Sequence, residues 1–462
     1  MDQSAPEHAE QHLDVFRQGY TRTAGRYRRF YIPVQIKFLF TVLCATAWMF
    51  FSVWMAQAWL RDLSHYLGAV LANLVIWGIA IFPGFMNAFL VVSLLLDRRP
   101  ARRRLEQYPP VSILVAAYNE AGSIAQTLHS IEAQDYPGAL QVIVIDDGST
   151  DGTAAIVEAL LPQYPWLQLL KQARNAGKAK ALNAGLERCE HELVVTLDAD
   201  SYLYRGALQS IVERFLFDPA STRAVAGCVL VRNSRANWVT EAQEWDYFHG
   251  IATIKRVQSL FQGTLVAQGA FSIYYGPALV EAGGWPDCVG EDIVLSWALL
   301  KRGYRIGYCE DACVFTNAPT SLKQFTRQRQ RWSRGMIEAF KRHPGILIVP
   351  RMSTLMVYWN LLFPYLDLVF TLFFMPGIVL AMFGHYWIVG PMTLILLPMA
   401  MLINLFMFVV GRSMFRQQGL RVRHNILGFF TYTLAYSMIL QPACIVGYAQ
   451  ELMNSRKTWG TK

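Results

Sequence analysis

Apolar residues in this chain are blocked rather than mixed. Five stretches carry little or no charge: Phe38–Leu60, Leu67–Leu96, Met352–Gly384, Tyr386–Gly411 and Asn425–Gln450. As helices, each is long enough to span about 30 Å of hydrocarbon. Between the second and third stretches lie roughly 250 residues of ordinary mixed composition, the size of one soluble domain. The pattern predicts an N-terminal tail with two transmembrane helices over 1–107 and a cytosolic domain over 108–318. Interfacial helices follow over 319–351, and C-terminal transmembrane helices over 352–462.

Inside the mixed segment the period shortens. Val111–Ala117 is a short apolar run, followed by Tyr118-Asn119-Glu120 and a helix-like stretch through Ile131. Val142–Ile145 ends in Asp146-Asp147-Gly148-Ser149, with a helix-like stretch from Thr153. Leu193–Leu197 ends in Asp198-Ala199-Asp200. Strands alternating with helices predict a doubly wound α/β sheet. Ligands of such sheets bind outside the carboxyl ends of the strands. All three predicted strands end in polar or acidic residues.

Composition supports the membrane reading. Only 16% of residues are charged and 53% are hydrophobic, against about 25% charged in soluble domains. The net charge of +9 does not point to nucleic acid, because the basic residues cluster at the ends of apolar runs. Arg26, Arg28 and Arg29 precede the first run; Arg98, Arg99, Arg102, Arg103 and Arg104 follow the second. Arg412, Arg416, Arg421 and Arg423 follow the fourth. Such flanks face the cytosol and anionic lipid. A fifth crossing would place Arg456, Lys457 and Lys462 outside, a conflict with two outcomes: a late segment is re-entrant, or the weak terminal signal loses. Met1 to Gln18 is polar, which predicts no signal peptide. Seven cysteines without a CxxC pair suit buried thiols in a reducing cytosol. Asp367 is the lone carboxylate of the third stretch; it is either a functional group facing protein or water, or an interfacial one.

The candidate chemistry is acidic and basic in alternation. A nucleoside diphosphate that departs from a sugar needs its charge neutralised, and a hard divalent cation on carboxylate oxygens does this. Asp198 and Asp200, one residue apart at a strand end, can present one carboxylate to the ion and the other towards sugar. Lys178, in Asn175-Ala176-Gly177-Lys178, can meet phosphate or cap a solvated helix. Gly290-Glu291-Asp292 follows a Gly283-Gly284-Trp285-Pro286 turn. Asp292, or second Glu291, can accept the proton of an attacking hydroxyl, or the pair can simply complement a helix dipole. Ser321-x-x-Gln324 reads as a capping box before Gln328-Arg329-Gln330-Arg331-Trp332. Gln328, Arg331 and Trp332 share one helical face, on which Arg331 suits a diphosphate and Trp332 a sugar ring. An interfacial amphipathic helix explains the same residues.

In order, Tyr118-Asn119-Glu120, Asp146-Asp147, Asp198-x-Asp200, Gly290-Glu291-Asp292 and Gln328-x-x-Arg331-Trp332 resemble the processive membrane glycosyltransferases of family 2. That group includes cellulose, chitin, hyaluronan and poly-N-acetylglucosamine synthases. The resemblance covers Val111 to about Gly335 with the flanking helices, and the helical layout is similar to that of the bacterial poly-N-acetylglucosamine synthases. It implies a GT-A-type nucleotide-sugar domain with a mixed sheet, plus an α-helical transmembrane module. It implies inverting, processive transfer from UDP-N-acetylglucosamine at a bacterial inner membrane, with the polysaccharide moved across. Tyr118, Glu120 and Asp147 would then serve the nucleotide, and Lys178 and Arg331 the phosphates. Asp200 with Asp198 would hold Mg²⁺ or Mn²⁺, Asp292 would be the base, and Gln328 and Trp332 would meet the acceptor. Many members carry a small-residue acceptor motif, to which Gln268-Gly269-Ala270 corresponds loosely. Partners implied are membrane lipid and a small membrane subunit sharing cyclic di-GMP control; Arg98-x-x-x-Arg102 has a phosphate-binding spacing, and Asn360 and Asp367 offer polar groups to a partner helix. Other readings are hyaluronan, chitin or cellulose synthesis, single transfer to a glycolipid, and a non-catalytic translocator.

Overall fold

The computed structural model describes residues 32–97, 105–417, 419–420 and 424–455. The basic clusters at 26–29, 98–104, 421–423 and 456–462, and with them the Arg98–Arg102 spacing, lie outside the described residues.

Helix α1 (Val34–Met55) and helix α3 (Ala69–Leu96) bracket a short polar helix α2 (Gln57–Leu67). Strand β1 (Val111–Ala117), α4 (Ile124–Glu132), β2 (Leu140–Asp146), α5 (Thr153–Leu160), β3 (Leu167–Lys171), α6 (Lys178–Leu186) and β4 (Leu193–Leu197) form the first half of the sheet. The second half contains β5 (Ser201–Leu203), α7 (Ala207–Phe217), β6 (Thr222–Val231), α8 (Trp238–Trp245), α9 (Ile254–Leu260), β7 (Phe271–Tyr275), α10 (Gly276–Ala282), α11 (Glu291–Lys301) and β8 (Arg305–Thr316). Helix α12 (Leu322–Arg342) follows, then α13 (Thr354–Met382), α14 (Pro391–Gln417) and α15 (Ile426–Leu452).

The eight strands form one sheet in the order β3-β2-β1-β4-β7-β6-β8-β5. The first four are parallel, as the alternation predicts. Beyond β4 the sheet turns mixed: β7 is antiparallel to β4 and β6, while β8 is parallel to β6. The sequence reading missed β3. Its run Leu-Gln-Leu-Leu-Lys is half exposed at the sheet edge, so it lacks the continuous apolar signature of a strand covered on both faces. The Asp198-x-Asp200 pair therefore ends the fourth strand, not the third.

Four of the described helices, α1, α3, α13 and α15, are long and apolar enough to cross a membrane. The fourth predicted stretch forms α14, whose described apolar part is the shorter Leu397–Arg412. Helices and sheet share one core. Phe38 of α1 and Phe89 of α3 pack on Phe261, at 5.1 and 5.4 Å between ring centres, and Trp359 of α13 meets Phe89 at 6.0 Å. Arg256 forms an ion pair with Asp97 just past α3.

Helix α15 is fastened to the sheet domain at its start and to α12 at its end. At its start, the Asn425 amide donates to Glu241 O at 2.9 Å, and the Trp245 indole donates to Asn425 O at 2.9 Å. At its end, Lys341 of α12 donates to Glu451 O at 2.7 Å, and Arg334 donates to Ser455 O at 2.8 Å. Between them, Tyr436 packs on Phe325 of α12 at 5.2 Å. Asp367 accepts from the Tyr448 hydroxyl at 2.8 Å. The polar group expected to await a partner helix is thus bonded within the chain, as buried polar groups must be.

Candidate active site

The carboxyl ends of β1 and β4 and the start of α6 meet α11 and α12 around a cavity of about 950 Å³. Its walls include Glu120, Lys178, Asp198, Asp200, Glu291, Asp292, Gln328, Arg331 and Trp332, nine of the residues singled out from sequence. Tyr118 and Asp147 do not line it. Asp147 is fully buried, and its two oxygens accept from the Ala176 and Gly177 N–H groups at 2.8 Å each. It fixes the loop that leads into Lys178.

The β1 and β2 loops are laced together. Asn119 takes a left-handed φ of 56°, a conformation that asparagine tolerates better than most residues. Its side-chain oxygen accepts from Thr150 N at 2.9 Å, while Ser149 Oγ accepts from Asn119 N and Thr153 Oγ1 from Glu120 N, each at 2.9 Å. Ser123 donates to the Glu120 carboxylate at 2.7 Å.

On the opposite wall, α11 and α12 touch backbone to backbone. A Cβ on Gly335 would lie 2.8 Å from Gly290 Cα, so the contact requires glycine. It brings the Glu291-Asp292 turn beside Arg331 and Trp332. Glu338, buried one turn further along α12, accepts from Val289 N at 2.9 Å and Gly290 N at 3.2 Å. It anchors the loop that enters α11, a role the sequence reading missed. The signal was a lone acid in a basic helix, seven residues after Arg331. Asp292 accepts from Ile293 N at 2.8 Å at the helix N-terminus, where a negative charge is favoured.

Charge is finely divided here. Lys178 forms an ion pair with Asp198 at 2.5 Å and approaches Glu291 at 3.8 Å. Burial pulls the Lys178 ammonium down, but the Asp198 and Glu291 carboxylates outweigh it and its pKa is raised. Burial and the Asp292 carboxylate push Glu291 up to about 7, against the pull of Lys178 and Arg331. Beneath Trp332, Arg329 stacks at 4.1 Å and forms an ion pair with Asp246 at 2.8 Å. Trp332 itself is 39% exposed. Gln328 Oε1 is buried with no hydrogen-bond partner among the described residues, and so offers an acceptor to a ligand. Of the expected capping box, the Ser321 hydroxyl makes its half, accepting from Gln324 N at 3.3 Å; Gln324 lines the cavity instead.

The described residues hold no cluster of three His, Cys, Asp or Glu groups placed for a metal. Two carboxylates at a strand end suit an ion that takes its other oxygens from a diphosphate.

A mixed sheet with an acidic pair at the end of a central strand, facing a helix that opens on Glu291-Asp292, suits a nucleotide-sugar transferase. Residues 112–280 match the profile described as Glycosyl transferase family 2. The chain is 32% identical over 272 residues to poly-beta-1,6-N-acetyl-D-glucosamine synthase of Staphylococcus aureus (strain MSSA476), and 31% identical to that of Staphylococcus epidermidis (strain ATCC 35984). Each match covers 56% of this chain and 65% of the relative, just under two thirds of its length. A mannosyltransferase from Pyrobaculum calidifontis, solved with GDP-Man and Mn²⁺, shares the fold: TM-score 0.56, 19% identity, 83% of this chain and 99% of that one covered. The GT-A-type fold expected from the motifs is the fold observed.

Proposed function

We infer that the chain is an inverting, processive glycosyltransferase of the membrane, polymerising N-acetylglucosamine from UDP-N-acetylglucosamine and passing the polysaccharide across a bacterial inner membrane. The observation that carries this is the convergence of the acidic pair, Lys178, Glu291-Asp292 and Gln328/Arg331/Trp332 on one cavity. The name of the staphylococcal relatives supports the sugar.

Asp200, with Asp198, would hold a divalent cation, Mg²⁺ or Mn²⁺, which when bound neutralises the leaving diphosphate; the archaeal neighbour was solved with Mn²⁺. Lys178 and Arg331 draw the diphosphate to one end of the cavity. Asp292 takes the proton of the attacking sugar hydroxyl. A single displacement with one base inverts the anomeric centre. Trp332 presents its outer face to the acceptor ring, while Arg329 occupies the inner one. Buried Arg329 and Asp246 hold that ring in place, so the acceptor meets a fixed platform.

Orientation follows from α15. Its start bonds to the sheet domain and its end to α12, which favours a helix lying under α12 rather than crossing. Ser455, at its end, then lies on the same side as the catalytic domain. A small membrane subunit sharing cyclic di-GMP belongs to the reading too, with Asn360 and Asp367 as the polar groups offered to it, the latter already accepting from Tyr448.

A panel of radiolabelled UDP-sugars on purified membranes, followed by linkage analysis, tests the reading. Polymer from UDP-N-acetylglucosamine is expected. Incorporation that needs UDP-glucuronate or UDP-glucose favours hyaluronan or cellulose synthesis, a single added sugar favours glycolipid transfer, and no turnover favours a translocator.

A further inference from the structure

Lys255 of α9 lines the cavity, is 8% exposed, and has no part in the chemistry above. Its ammonium donates to Val266 O at 2.8 Å and to the Gln268 side-chain oxygen. Those two acceptors belong to the loop before β7, which is tied down on every side. Leu265 N donates to Gln258 at 3.1 Å, the Tyr274 hydroxyl donates to Ala267 O at 2.8 Å, and Gln268 donates to Gly227 O at 2.7 Å. The same loop reaches the base-bearing helix: Ala267 N donates to Ser296 Oγ at 2.8 Å, and Ser296 donates to Asp292 O at 2.6 Å. No carboxylate among the described residues forms an ion pair with Lys255. The groups whose fields reach it are the Asp292 carboxylate on α11 and the Cys228 thiol on β6.

An ammonium has three N–H donors, and two are spent on the loop. We propose that Lys255 is an acceptor-binding residue, donating its third N–H to an oxygen of the sugar whose hydroxyl Asp292 deprotonates. The proposal rests on the transferase reading. It gives the loosely matching Gln268-Gly269-Ala270 segment a physical part: it is the wall to which this donor is pinned. Burial pulls Lys255 down to about 7, against the Asp292 carboxylate. Once neutral, the amine keeps two N–H groups, both committed to the loop, and turns a lone pair to the sugar. Acceptor binding therefore weakens as pH rises through about 7.

The test uses the full-length enzyme in detergent, with UDP-N-acetylglucosamine as donor and a short N-acetylglucosamine oligomer as added acceptor. UDP binding by calorimetry reports folding of each variant. K255M should raise the acceptor KM by about 10-fold or more, the loss of a hydrogen bond from a charged donor, with the donor KM unchanged. K255R, charged throughout, should abolish the rise of acceptor KM above neutral pH that the wild type shows. An unchanged acceptor KM in K255M, an equal rise for donor and acceptor, or the same alkaline rise in K255R overturns the proposal. A folded wild type that transfers no sugar overturns the transferase reading, and this proposal with it.

Discussion

At the scale of single residues, the site separates two neighbouring carboxylates by environment. Asp292 is the proposed base, so Asp292→Asn should lower transfer by about 10²–10⁴-fold, the usual worth of a general base, while UDP binding by calorimetry survives. Retained turnover would move the base to Glu291. Glu291 makes a separate prediction. Its carboxyl stands at about 7 in the fold against an ordinary 4.5. Between those values the folded state binds the extra proton, so stability falls as pH rises from about 4.5 and levels off above about 7. Glu291→Gln should flatten that slope in thermal melts; an unchanged slope assigns it to another group. That Asp198, Asp200, Arg331 and Trp332 would meet at one cavity was legible because they stand in short motifs of charged and aromatic residues. Glu338 and Lys255 were not. Glu338 acts through backbone N–H groups 49 and 48 residues away, and Lys255 through a carbonyl and a neutral amide of the loop before β7; neither pairing joins opposite charges that a sequence would advertise.

At the scale of elements, the parallel half of the sheet was legible because strands covered on both faces read as unbroken apolar runs. Val111–Ala117 and Leu193–Leu197 are such runs. Edge strand β3 was not, and neither was the antiparallel insertion of β7 between β4 and β6, which depends on long-range pairing. The helix carrying Arg331 was legible, yet its docking was not: nothing in Gly290 or Gly335 alone announces that they touch. That contact predicts that Gly335→Ala forces α11 and α12 apart. Overpacking of this kind costs about 1–3 kcal/mol, and here the displacement falls on the Asp292 turn. Activity should therefore drop more than the melting temperature does, checked by comparing kcat with thermal inactivation. A loss of stability with kcat intact would show that the two helices do not need this spacing.

At the scale of the whole molecule, the apolar helices do not merely tether the sheet domain; Phe38, Phe89 and Trp359 enter its packing around Phe261. The five apolar stretches were plain in the sequence, since length and absence of charge suffice to find them. Whether the last one crosses is not written there, because a helix that lies under α12 and one that crosses have the same composition. A reporter joined after Ser455 should give the same sidedness as one inserted in the sheet domain, read by protease protection in oriented vesicles. Opposite sidedness would restore a crossing.

The clasp between Arg334 and Glu451 closes over 117 residues of chain. A ribosome must therefore translate well past the catalytic motifs before Arg334 meets its carboxylate and Tyr436 covers Arg329. Until then the Arg329 guanidinium that stacks under Trp332 lacks its Tyr436 neighbour, and the Arg334 guanidinium lacks its carboxylate. Burial of these two guanidinium groups is thereby tied to completion of the last apolar helix.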